Sequence, residues 1–267
     1  MNFTENQIER YSRHIILQEV GPEGQEKINN AKVLVAGIGG LGSPVALYLA
    51  AAGIGTIGLA DNDVVDMTNL QRQVIHFTSD LDKHKVESAA DKISALNPDV
   101  DIRMHKGFLN PENIAGIITG YDFIIDGTDN FPSKFLINDA CVINGKAFSH
   151  GGILRFEGQT MTYTPGNTCY RCVFGYAPPK NAVPSCSQAG VLGSIAGILG
   201  TIQATEAIKY IIGKGRLLTN RMLTFNAFDM NFGEIILSAN SDCPVCGSNP
   251  VITKLEMDEQ PVCDLKQ

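Results

Sequence analysis

Residues 32–62, KVLVAGIGGLGSPVALYLAAAGIGTIGLADN, constrain this chain more than any other stretch. Lys32–Ala36 is a short, β-branched apolar run, the pattern of a strand buried on both faces. Gly37, Gly39, Gly40 and Gly42 follow at once, and a helix opens with Ser43 as candidate cap and Pro44 in its first turn. This helix runs through residues 50–52 and stops near Gly53 and Gly55. A second strand, 56–60, ends on Asp61. Strand, glycine turn, helix, strand and an acid about 20 residues past the glycines make a nucleotide-binding βαβ pattern. The glycines let backbone approach a phosphate, and the helix start offers free N–H groups. Asp61 is placed to accept hydrogen bonds from ribose hydroxyls. ATP and a dinucleotide both fit this motif, so the rest of the chain must choose.

At 267 residues the chain is long enough for a full core in one domain or one and a half. Its net charge of −7 argues against nucleic acid and an anionic membrane surface as partners. Residues 1–30 are polar and mixed in charge, unlike an export signal, so the expected compartment is the cytoplasm. The most apolar stretch, 190–201, runs into Gln203, Thr205 and Glu206 and reads as a buried helix, not a membrane span. Structural disulfides are uncommon in the cytosol, so the seven cysteines need another explanation.

In chain order, residues 5–19 are helical by pattern, ended by Gly21 and Pro22, with Arg10, Arg13 and His14 between apolar positions. A plain docking helix with solvated arginines fits this segment. After Asp61, the polar loop 62–73 is long for a βα connection. It brings Asp63 and the donors Asn69, Gln71, Arg72 and Gln73, and Arg72 has the planar fork that suits phosphate. A surface turn is the plainer alternative. Residues 82–96 form an amphipathic helix with Lys83 and Lys85 in its first turn. Lys83 suits a solvated face, whereas Lys85 is a candidate to reach back to the nucleotide. A third strand, 99–105, and a short helix, 111–119, come next. The buried strand 121–126 ends in Asp126-Gly127-Thr128-Asp129-Asn130, facing the same crevice as the glycine turn. A carboxylate beside a triphosphate needs a cation between them, which makes Asp129 a magnesium candidate. The alternative is that Asp126 or Asp129 only caps the following helix, 133–144, in which Cys141 fits as a core residue.

From Ala147 the texture turns to a hairpin around Glu157-Gly158, a helix over 189–212, and two strands, 222–229 and 234–239. Two Cys-x-x-Cys pairs, Cys169/Cys172 and Cys243/Cys246, sit in turn-like contexts and form a candidate closed four-thiolate zinc site. A redox pair or four buried thiols are the alternatives. Cys263 is incidental, and Cys186, in a polar loop before a helix start, is either a candidate nucleophile or an inert loop thiol. The expected fold is α/β: a Rossmann-like doubly wound, mostly parallel sheet continuing into antiparallel strands, with a four-cysteine zinc site.

This ordered set of motifs resembles the ThiF/MoeB/HesA family, relatives of the ubiquitin-activating enzymes. The resemblance spans roughly residues 5–250 and rests on Arg10-Tyr11-Ser12-Arg13-His14, the Gly37–Gly42 turn and Asp61 and Asp63. It rests further on Asn69-Leu70-Gln71-Arg72-Gln73, Lys85, the Asp126–Asn130 run and both cysteine pairs. It implies one adenylation domain over 1–267: a helical arm (1–30), a nucleotide-binding half (31–146), a carrier-binding and zinc half (147–250) and a tail. It implies adenylation by ATP of the C-terminal glycine carboxylate of a small ubiquitin-like sulfur-carrier protein ending in Gly-Gly, with release of pyrophosphate. Such carriers serve thiamine, molybdopterin or related biosynthesis. By motif, Gly40 and neighbouring backbone would hold phosphate, Asp61 the ribose, Arg72 and Lys85 phosphates and Asp129 Mg²⁺, with Asn130 lining the site. The resemblance also implies a homodimer in which Arg13 reaches the partner's ATP site. Loop 176–184 would cover the carrier's tail, and in some relatives a cysteine at the place of Cys186 links to the carrier. No rhodanese-like segment follows residue 250, so a separate sulfur donor is expected. An NAD-dependent Rossmann oxidoreductase explains Asp61 but gives no role to Arg72, Lys85, Asp129 and the cysteines together.

Overall fold

The structure, a computed structural model, describes residues 3–179, 182 and 189–257. Cys186 and Cys263, and most of loop 180–188, lie outside these residues. Eight strands form one sheet among the described residues. They are β1 (Lys32–Ala36), β2 (Thr56–Asp61), β3 (Asp101–Lys106), β4 (Phe123–Asp126), β5 (Ala147–Leu154), β6 (Glu157–Tyr163), β7 (Arg221–Asn226) and β8 (Asn231–Ile236). The order is β3-β2-β1-β4-β5-β6-β7-β8, with β3 to β5 pairing in parallel and β5 to β8 antiparallel. The expected doubly wound sheet with an antiparallel continuation is therefore what the chain builds.

The alternation along the central strands explains why both sheet faces are covered. Val33, Val35, Phe123 and Ile125 point into one core, and Leu34, Ala36 and Ile124 into another. The first core is closed by α3 (Gly42–Ala52), α4 (Lys85–Leu96) and α8 (Gly193–Ile212). The second is closed by α5 (Ile114–Ile118), α6 (Phe131–Ile143) and the short α7 (Tyr170–Phe174). Cys141 is fully buried there, as a core residue. Helix α8 is the one described helix long and apolar enough to cross a membrane. Half of that stretch is buried inside the protein, where Gln203 bonds the backbone of Asp126 and Ser149, so α8 is a core helix.

The N-terminal arm divides into α1 (Glu5–Ile15) and α2 (Gly21–Asn30). Helix α1 stops at Ile15, short of the expected 19, and Gly21-Pro22 does not end it but opens α2, because proline in a first turn loses no hydrogen bond. Tyr11 anchors α1, stacking where a Cβ on Gly53 would stand and accepting a bond from Asn97 Nδ2 at 2.9 Å. Other expectations shift too, and the last two strands, expected at 222–229 and 234–239, end three residues earlier. Ser43 is not a helix cap; it lies inside the first turn of α3 and donates to the Gly39 carbonyl at 2.6 Å. Helix α4 starts at Lys85, so Lys83 precedes it and pairs with Asp91. The β5–β6 turn is at Arg155-Phe156, with Arg155 at φ 54°, not at Glu157-Gly158.

Candidate active site

In a doubly wound sheet, ligands sit where neighbouring strands send their connections to opposite sides. Here that point lies between β1 and β4. The loops leaving the two strands touch: Gly37, at φ 86°, has no room for a Cβ, which would stand 2.9 Å from the Gly127 carbonyl. Gly42 is as tight, since its Cβ would fall 1.9 Å from the Gly37 oxygen. Gly37, Gly39 and Gly40 line a cavity of about 890 Å³ that opens above the strand ends.

The cavity gathers Gly37, Gly39, Gly40, Asp61, Asp63, Arg72, Gln73, Lys85, Asp129 and Asn130 from the β1–α3, β2–α4 and β4–α6 connections. Asp61 holds the loops in shape, its carboxylate accepting the N–H groups of Ile38 at 2.7 Å and Asp63 at 2.8 Å. Burial raises its pKa, while Lys85 and these bonds oppose the rise. Lys85 is buried and ion-paired with the more exposed Asp63 at 2.9 Å, which fixes a cation at the cavity wall. Arg72 lies against Gly40 and is tethered to the Thr68 carbonyl at 3.1 Å. Asp129 is exposed at the cavity edge. The α6 cap is Asn130, which accepts the Ser133 N–H at 2.9 Å, so Asp129 is not needed for that task.

Asn69 and Gln71 do not line the cavity. The Asn69 carbonyl accepts the N–H groups of Arg72 and Gln73, and Gln71 packs its carbonyl on Gly193 at the start of α8. They set the turn that presents Arg72. Arg13 is exposed on α1 and lies outside the cavity lining.

Asp126, expected to face this crevice or to cap α6, does not cap the helix and meets two residues the sequence did not single out, Lys134 and His150. Asp126 is buried at the end of β4 and accepts from Lys134 Nζ at 3.1 Å and from the Thr128 hydroxyl at 2.6 Å. Its Oδ2 also faces His150 Nδ1 at 2.9 Å. Burial pushes the Asp126 carboxyl up, but the Lys134 ammonium and His150 outweigh it and its pKa falls to about 2. Lys134 and His150 both line the cavity. The available signal was positional: His150 stands at the end of a strand, where such sheets place ligands. Behind the glycine turn, His76 bonds the Ile38 carbonyl at 3.0 Å and Ser88 Oγ at 2.8 Å, and burial lowers its pKa. Beyond His150 the cavity runs under the antiparallel strands, past Ile153, Gln159, Thr224 and Asn231.

Separate from this crevice, Cys169, Cys172, Cys243 and Cys246 converge, their sulfurs all within 4.8 Å of one another. Sulfur separations of 3.3 to 3.8 Å bracket the roughly 3.8 Å edge of a tetrahedral Zn–S₄ site. Cys169 precedes α7, and Gly247 closes the second knuckle, where a Cβ would meet the Ser241 carbonyl at 2.4 Å. Burial, then the neighbouring thiols, raise Cys169 and push Cys246 up to about 12, so four thiolates need a cation among them. The four-cysteine cluster can hold a metal.

Comparison with known proteins agrees with this geometry. The ThiF family model matches residues 11–245. The SAMP-activating enzyme E1 of Haloferax volcanii is 44% identical over 257 residues, covering 96% of this chain and 95% of the relative. The sulfur carrier protein adenylyltransferase of Thermus thermophilus is 40% identical over 272 residues, covering all of both chains. A crystal structure of E. coli MccB with AMPCPP and MccA superimposes with a TM-score of 0.80 at 26% identity, over 92% of this chain and 76% of that one. With its family model matching residues 11–245, which take in the whole nucleotide crevice, this chain belongs to the ThiF family.

Proposed function

We propose that the chain is an ATP-dependent adenylyltransferase. It activates the C-terminal glycine carboxylate of a small ubiquitin-like sulfur carrier ending in Gly-Gly as acyl-AMP and releases pyrophosphate. The observation that carries this is the meeting of the glycine turn, Asp61, Arg72, Lys85 and Asp129 in one cavity that continues under β5 to β8. The names of the two relatives above point the same way, and no support emerges for a nicotinamide oxidoreductase.

The chemistry asks for charge neutralisation and alignment more than proton transfer. A carboxylate attacking an α-phosphate brings anion to anion, and the attacking group is already ionised. Gly39, Gly40 and nearby N–H groups would cradle phosphate, Asp61 would hold the ribose, and Arg72 and Lys85 would face the phosphate oxygens. Asp129 would hold Mg²⁺, an ion that takes one or two carboxylates plus phosphate oxygens and offsets triphosphate charge. An ammonium held at 2.9 Å by Asp63 needs little reorganisation to serve.

The continuation under the antiparallel strands supplies a path for the carrier's tail. Around it, Phe228, Met230, Phe232, Ile235 and Ile236 are exposed, an apolar surface suited to a protein partner. Exposed Ile16 and Leu17 beside Arg13 favour a second copy of the chain there, with Arg13 delivered to the partner's site. Zinc in the cysteine cluster would pin the segment after β8 to α7 as a structural element. A separate sulfur donor would complete the cycle. The test is ATP–pyrophosphate exchange with and without a Gly-Gly-ending carrier: exchange should need the carrier, and exchange without one contradicts tail activation.

A further inference from the structure

His150 has only 1% of its surface exposed, yet it lines the cavity. Its Nδ1 faces Asp126 Oδ2 at 2.9 Å, and that carboxylate is ionised beside Lys134. Burial and the nearby Lys134 ammonium lower the His150 pKa and keep the ring neutral, and an ionised carboxylate only accepts, so Nδ1 carries the proton and Nε2 is left with its lone pair. Nε2 is buried and has no partner. A buried acceptor left unmatched is costly, so a donor is missing from the picture. Glycine at 152 sets no side chain against this nitrogen, where a Cβ would stand 3.5 Å away, at ordinary contact.

The sheet register says which substrate can bring that donor. Ala36, Asp126 and His150 stand level on β1, β4 and β5. Asp61, the ribose position, lies on β2 at the other side of β1. The glycine turn that would seat the phosphates leaves β1, between Asp61 on β2 and His150 on β5, and phosphate oxygens only accept. The carrier's carboxylate only accepts too. The donor nearest that carboxylate is the main-chain N–H of the carrier's own last residue. Resting on the adenylation reading, we propose that His150 Nε2 accepts this N–H and thereby sets the reach of the acyl tail to the α-phosphate.

The test is a semisynthetic carrier whose last peptide bond is an ester, with glycolate in place of the final glycine. It keeps the carboxylate and loses only the N–H. For the unaltered protein, kcat/KM for pyrophosphate exchange should fall about 10-fold or more from amide to ester. In His150→Phe the preference should vanish, amide and ester carriers reacting at equal rates. His150→Gln, whose amide can donate to Asp126 and accept at the far atom, should restore part of the preference. ATP affinity should be unchanged in both variants. Equal rates for amide and ester with the unaltered protein overturn the proposal without any variant, as does an unchanged preference in folded His150→Phe. Absence of exchange with either carrier instead overturns the adenylation reading, and this inference with it.

Discussion

The glycines of the turn divide into two kinds, and the division can be measured. At Gly42 a methyl would fall 1.9 Å from the Gly37 carbonyl oxygen, over 1 Å inside contact, and the obstacle is backbone. Gly42→Ala must displace the turn or the start of α3, at a cost of about 3 kcal/mol or more. Gly39 meets nothing nearer than Gln73 Nε2 at 3.6 Å, an ordinary contact. Gly39→Ala should leave stability within about 0.5 kcal/mol of the parent. Its methyl would instead stand on the cavity wall that phosphate must approach, and ATP affinity should drop at least about 10-fold, or about 1.4 kcal/mol. Denaturant unfolding separates the two variants on stability, and titration calorimetry with ATP and magnesium separates them on binding. Unaltered ATP affinity in a folded Gly39→Ala protein refutes the phosphate assignment. Unaltered stability in Gly42→Ala refutes the packing of the turn.

Three more outcomes are expected. Asp129 is exposed and caps nothing, so Asp129→Ala should keep the melting temperature but lose carrier-dependent exchange by about 100-fold or more; retained exchange at ordinary magnesium removes the metal assignment. Elemental analysis should find about one zinc per chain, as four ligands to one ion require, and Cys243→Ser should lower the melting temperature; a zinc-free protein of equal stability retires the site. Asp126 has its pKa held at about 2 in the folded chain, below the ordinary 3.8. Its stabilisation, about 2 kcal/mol, is therefore full above roughly pH 4 and lost as pH falls through about 2. Lys134→Met removes the main counter-charge, so its acid-unfolding midpoint should move to higher pH; an unmoved midpoint contradicts the pairing.

Much of the fold was legible because the parallel strands are buried on both faces and so read as unbroken apolar runs. Val33 and Val35 serve one core and Leu34 and Ala36 the other. Glycine misled where its role was space and not turning. Gly158 lies within β6 because Leu199 Cδ1 fills the place of its Cβ, at 2.0 Å, while Arg155 takes the left-handed turn. Gly21-Pro22 looked like a terminator and is a helix start. At the site, residues carried by local motifs were found: the glycine turn, Asp61, Arg72, Lys85 and Asp129 share one cavity. The Asp126–Lys134–His150 group was not, because its members come from β4, α6 and β5 and meet only through sheet pairing. Cys169 and Cys243 are 74 residues apart but carried their own local spacing, which is why that cluster was legible.

The central claim is that a carrier's carboxylate oxygen attacks the α-phosphate of ATP held at the β1–β4 crevice. A carrier labelled with heavy oxygen in its terminal carboxylate tests it directly. After the acyl-adenylate is formed and cleaved at its carbonyl by an added thiol, mass spectrometry of the released AMP should show the label. Unlabelled AMP, or label in the pyrophosphate, contradicts the account.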